Sequence, residues 1–143
     1  MALLLDAGEI ETLLDEVFPQ VRGDFQIEAL SAESVRVRLK VQDRHLRPGG
    51  TVSGPAMFGL ADVTMYTMVL ARIGPEALAV TTNCAIDFMR KPVAQTDMIA
   101  TCRLLKLGKS LAVGEVHMNS EGDDRLVARA SLTYSIPPKA APF

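Results

Sequence analysis

Asp62 is the only charged residue between Thr51 and Ala71. An ionised carboxylate in apolar surroundings costs roughly several kcal/mol even after relaxation, so a chain that keeps one has a use for it. The chemistry such a group offers is that of a general base or a nucleophile; the structural alternative is an Asp at a subunit seam, bonded to a neighbouring backbone or hydroxyl. Eight residues earlier, Ser53-Gly54-Pro55-Ala56 has the composition of a helix N-terminus, where free N–H groups can hold a carbonyl oxygen or an anion. Pro55 has no N–H, which leaves Gly54 and Ala56 as donors, with Ser53 as the cap. The other reactive residues are scattered. Cys84 and Cys102 form no C-x-x-C pair, His45 and His117 are the only histidines, and a structural zinc site is nearly excluded.

These groups need a long helix to carry them. Pro55 suits its first turn and Gly74-Pro75 its end, so a helix is predicted over about residues 55 to 72. A helix apolar on nearly every side is enclosed by the rest of a fold or spans a membrane; the central Asp and the alternating segments after it favour enclosure. Before it, Ile10, Leu13, Leu14, Val17 and Phe18 recur at helical spacing over about residues 8 to 18, and Pro19 ends the pattern. Strands are predicted over about residues 25 to 31, 34 to 41, 79 to 90, 98 to 107, 110 to 119 and 125 to 136, each from its alternation. The order describes one α+β domain over residues 1 to 143, with a core over about 25 to 136, an antiparallel sheet wrapped around the long central helix, and a loose tail at 137 to 143. Strict alternation in the third strand sets Thr81, Asn83 and Asp87 on one face, opposite Val80, Thr82, Cys84, Ile86 and Phe88.

Composition narrows the function. Fifteen Lys and Arg against 17 Asp and Glu give a net charge of -2, and aromatic residues are 5% of the chain with no Trp, so nucleic acid is a poor partner. Leu3-Leu4-Leu5 lacks a basic flank and is interrupted by Asp6 and Glu9, unlike a signal peptide, and the expected location is cytoplasmic, with no membrane partner. Arg90, Lys91, Lys106 and Lys109 cluster at predicted strand ends, where cations would suit phosphates. Met57, Phe58, Met65 and Met68 suggest an apolar pocket or plain core.

The run Ser53 to Asp62, followed by Asn83-Cys84-Ala85-Ile86-Asp87-Phe88-Met89-Arg90-Lys91-Pro92, resembles the hotdog-fold acyl-CoA thioesterases of the phenylacetic acid degradation type, over about residues 35 to 136. The resemblance implies a hotdog fold, an acyl-CoA substrate and no cofactor beyond the coenzyme A that the substrate carries. It implies Asp62 as general base or nucleophile and the Gly54 N–H as the donor that polarises the thioester carbonyl. The family's motif His is Ser53 here, its second Gly is Pro55, and a loop position that holds an Asn in some members is Arg47. A hydroxyl found on the following strand in some members matches Thr81, or Thr82 if the register slips, with Asn83 beside it. A non-catalytic binder of acyl-CoA or acyl carrier protein is the alternative reading. A hotdog hydratase would want a paired His, and neither histidine lies at a motif position.

Helix geometry adds an expectation about assembly. At about 1.5 Å per residue, Gly54 and Asp62 lie roughly 12 Å apart along one axis, too far to act on one carbon. Two such helices, antiparallel across a two-fold axis, would bring Asp62 and Thr81 of one chain to Gly54 and Arg47 of the other. A homodimer is therefore expected, and the resemblance implies the same pairing, sometimes as a dimer of dimers.

Overall fold

The computed structural model describes residues 3–138, so the part of the expected tail beyond 138 lies outside the described residues. Helix α1 (Ala7–Val17) starts because Asp6 caps it: the Asp6 carboxylate accepts from Glu9 N (2.8 Å), and the Glu9 carboxylate accepts from Asp6 N (3.0 Å). Ile10 and Leu14 are the side chains it buries. Strands β1 (Phe25–Leu30) and β2 (Ser34–Leu39) form the first hairpin. Val35, Val37 and Leu39 face the core, and Val41 falls just outside the strand.

Helix α2 (Gly54–Ile73) is one residue longer at each end than expected. Gly74 closes it at φ +94°, a conformation that side-chain-bearing residues rarely adopt. By length and composition α2 could cross a membrane, yet 72% of its most apolar window is buried by the rest of the fold. Its two buried threonines satisfy themselves by donating to carbonyls one turn back, Thr64 to Leu60 O (2.6 Å) and Thr67 to Val63 O (2.8 Å).

Four further strands complete the sheet: β3 (Val80–Phe88), β4 (Met98–Leu107), β5 (Leu111–Ser120) and β6 (Ala128–Ser135). All pair antiparallel in one sheet of order β1-β2-β4-β5-β6-β3, curled around α2. The core between them holds Leu60, Met65, Met68, Met98, Met118 and Leu132, all but sealed from solvent. Across the sheet's outer face Arg38 gathers Glu28 (2.6 Å), Asp97 (2.9 Å) and Glu121 (2.8 Å), tying β1 and β2 to the loops that flank β4 and β5.

Strand β3 forms an edge of the sheet, bonded to β6 on one side only. It also carries a bulge: Thr81 pairs with Tyr134 and Asn83 with Thr133, so Thr82 has no partner of its own. The expected single polar face is corrected by this extra residue. Thr81 shares the helix-facing side with Cys84 and Ile86, whereas Asn83 and Asp87 point away with Thr133 and Arg129.

Candidate active site

Asp62 sits half-buried in the middle of α2, on the side turned to β3 and β6. Two hydroxyls converge on a single oxygen of its carboxylate. Thr81 Oγ1 and Tyr134 OH both donate to Asp62 Oδ1, the latter at 2.7 Å, and among the described residues no donor reaches Oδ2. Thr82 is exposed and donates to Thr133 O instead (3.2 Å), so the bulge selects Thr81 over Thr82 as Asp62's neighbour. Tyr134 is 3% exposed, and burial together with the Asp62 charge pushes its ionisation well above the usual range for a phenol; it remains a donor at any physiological pH. Cys84 is the next helix-facing residue of β3. Its thiol is also pushed up, by burial first and then by Asp62.

Tyr134 is the site residue that sequence reasoning missed. Alternation along the last strand does turn it inward, and a buried phenol needs a polar partner. The only carboxylate on the enclosed helix is the natural one.

The helix N-terminus is built by the loop before it. Gly49 and Gly50 turn at φ +100° and +80°, letting Arg47 N reach Thr51 O (2.9 Å) and Ser53 N reach His45 O (2.8 Å). His45 is buried behind this turn. Its Nδ1 accepts from Gln42 N (3.0 Å), its Nε2 lies 3.5 Å from Asp24, and its role is to hold the loop. Ser53 Oγ accepts from Ala56 N (3.2 Å), which removes Ala56 from the two candidate donors. The Gly54 N–H has no acceptor among the described residues.

Gly54 and Asp62 do not share a cleft. Asp62 opens on a cleft of about 230 Å³ with Thr81, Tyr134, Tyr66 and the end of α1. Gly54 opens on another, of about 420 Å³, with Arg47, Phe88, Arg90 and Lys91. The four expected phosphate-binding cations also separate within one chain. Register runs from Phe88 through Ala128 and Met118 to Ala100, so Arg90 and Lys91 lie near the start of β4, while Lys106 and Lys109 lie at its finish, roughly 20 Å away at about 3.3 Å per residue. Lys109 lines a separate apolar groove with Ile73, Leu107 and Ile136. Asn83 faces away from Asp62, on the outer side of the sheet.

Comparison with known proteins gives a consistent answer. Residues 49–134 match the thioesterase superfamily. A Silicibacter protein provisionally assigned as a thioesterase has a crystal structure that superposes with a TM-score of 0.91, at 56% identity over 96% of each chain. Human acyl-coenzyme A thioesterase 13 is 27% identical over 81% of this chain and 82% of its own length. A mutant of the phenylacetic acid degradation protein of Thermus thermophilus superposes with a TM-score of 0.71, at 25% identity over 83% of this chain and 99% of that one.

Proposed function

The chain belongs to the thioesterase superfamily and is by that membership a thioester hydrolase, and from this we propose that it hydrolyses an acyl-coenzyme A to the free acid and coenzyme A. The observation that carries the reading is the one-sided clamp on Asp62: two hydroxyls on Oδ1, and Oδ2 left available beside an open cleft. Asp62 Oδ2 takes a proton from a water that attacks the thioester carbon, or attacks that carbon itself to give, once the thiolate has left, a mixed anhydride that water hydrolyses to the free acid and Asp62. The oxyanion is held by a Gly54 N–H, the C–S bond breaks, and the thiolate leaves to be protonated.

The Gly54 N–H comes from a second copy of the chain. Supporting this, Gly54 and Asp62 open on clefts that share no lining residue. The free edge of β3 is also fringed with apolar side chains, among them Val80 at 57% and Phe88 at 50% exposure, which a solitary chain leaves in water. A homodimer with two composite sites joins Asp62 and Thr81 of one protomer to Gly54 and Arg47 of its partner. Arg47, Arg90 and Lys91 would then face the phosphates of coenzyme A, and the expected location stays cytoplasmic.

The test is release of free thiol from a panel of acyl-CoAs by the purified protein. Turnover that depends on Asp62 supports the reading. Tight binding of acyl-CoA with no thiol released would make the chain a binder and overturn it.

A further inference from the structure

We infer that Tyr66 is the positioning residue of the site: its ring sets the Tyr134 hydroxyl and its own hydroxyl sets Thr81, so that one side chain aligns both donors to Asp62 Oδ1. The inference rests on the thioesterase reading and names the residue that keeps the carboxylate clamp in register.

Neither donor is fixed by its own strand. Tyr134 reaches Asp62 at the end of a long side chain, and rotation about its first two torsions would sweep the hydroxyl away. Thr81 lies near the start of an edge strand. Before the bulge at Thr82 only two residues of β3 pair within the chain, Val80 with Ser135 and Thr81 with Tyr134, so the regular ladder from Asn83 onward does not hold this end.

Tyr66 supplies what each donor lacks. It follows Asp62 by four residues on α2, so the two side chains project from the same face of one rigid element. The Tyr66 ring stacks on that of Tyr134, with centroids 6.0 Å apart and planes 22° from parallel. The helix that carries the acceptor thereby also carries the surface against which the donor's ring rests. The Tyr66 hydroxyl donates to Ala77 O (2.7 Å), four residues before Thr81, in the loop that leads from α2 into β3. The turns of that loop, Glu76 N to Gly74 O (2.7 Å) and Ala79 N to Glu76 O (3.0 Å), are local, whereas the bond from Tyr66 ties it back to the middle of α2. Tyr66 is 7% exposed, and all of these contacts lie within one chain.

Tyr66 also lines the cleft beside Asp62, so direct contact with substrate is the competing role. Kinetics separates the two: a side chain that acts through the clamp changes kcat, and one that only holds bound substrate changes KM.

The experiment measures kcat and KM for thiol release from one acyl-CoA in Tyr66→Phe and Tyr66→Leu, each alone and combined with Thr81→Val or Tyr134→Phe, with circular dichroism as the check on folding. Tyr66→Phe keeps the stack and loses only the bond to Ala77, so kcat should fall about fivefold with KM within about twofold. In the Thr81→Val background the same change should cost less than about twofold, because the hydroxyl it positions is already gone. In the Tyr134→Phe background it should still cost about fivefold. Tyr66→Leu loses the ring as well and should cost about fivefold more than Tyr66→Phe, an excess that disappears in the Tyr134→Phe background. Tyr66→Met takes the place of Tyr66→Leu if the latter does not fold. A folded Tyr66→Phe with the wild-type kcat, a loss confined to KM, a loss undiminished by Thr81→Val, or a ring effect that survives Tyr134→Phe overturns the inference and leaves thioester hydrolysis intact. A wild type that releases no thiol from any acyl-CoA overturns the underlying function, and this inference with it.

Discussion

Tyr134 meets Asp62 twice, its hydroxyl lying 2.7 Å from Oδ1 and 3.0 Å from the backbone carbonyl of the same residue. One phenol therefore registers both the helix backbone and the side chain against β6. With Thr81 on the same carboxylate oxygen, rotation of the carboxylate breaks two hydrogen bonds, and Oδ2 keeps a fixed direction.

Tyr134→Phe removes the hydroxyl and keeps the stacked ring, so it should lower kcat by about tenfold with KM within about twofold and the fold unchanged. Steady-state kinetics on one acyl-CoA decides this. A change confined to KM, or to thermal stability, would make Tyr134 a packing residue only.

Asp62→Asn keeps an oxygen for both hydroxyls but neither takes up a proton nor attacks. Hydrolysis should fall at least about a hundredfold, the usual scale for loss of a general base, with an unaltered circular dichroism spectrum. Turnover near that of the wild type would remove Asp62 from the mechanism.

At Gly54 the N–H can be separated from the absence of a side chain. A Cβ there would lie 3.6 Å from the Phe88 ring, an ordinary contact, so Gly54→Ala should remain active, while Gly54→Pro, with no N–H, should lose about a hundredfold. Refolding Asp62→Ala chains together with Gly54→Pro chains should restore activity toward about a quarter of the wild type, since random pairing leaves one intact site in half of the dimers. Two folded, exchanging, inactive parents that restore nothing would exclude the shared site.

His45 predicts a pH dependence. Burial, and after it the neighbouring Arg44, lowers its affinity for a proton, and protonation would also set an N–H against the Gln42 N–H that Nδ1 now accepts. The unfolded chain takes up that proton near the ordinary histidine value of about 6.5, before the folded chain does, so the unfolded state binds more protons in this window and stability falls as pH drops through it. Melting temperatures from pH 7.5 down to 5.5 should decline in the wild type and flatten in His45→Asn. Equal slopes would show that the loop tolerates the charge.

The sequence made the elements legible through distinct local patterns. The enclosed helix was marked by its apolar run with a single Asp, and β2 and β6 by unbroken alternation. Thr81's true face was not legible, since a bulge depends on what β6 offers opposite and leaves no trace in the pattern of β3 itself. Tyr134 lies 72 positions from Asp62 and announced only that it pointed inward. The four cations were correctly assigned to strand ends, but which end depends on sheet order, which spacing does not encode.

The unpaired residue at position 82 divides β3 into two reading frames. Residues before it take their orientation from Tyr134 and α2; those after it take theirs from the rest of β6. Deleting one residue at the bulge would restore a regular strand and at the same time turn the Thr81 hydroxyl outward, or else carry the whole of Cys84 to Phe88 onto the wrong face. The chain can keep an uninterrupted ladder or a hydroxyl on Asp62, and it keeps the hydroxyl.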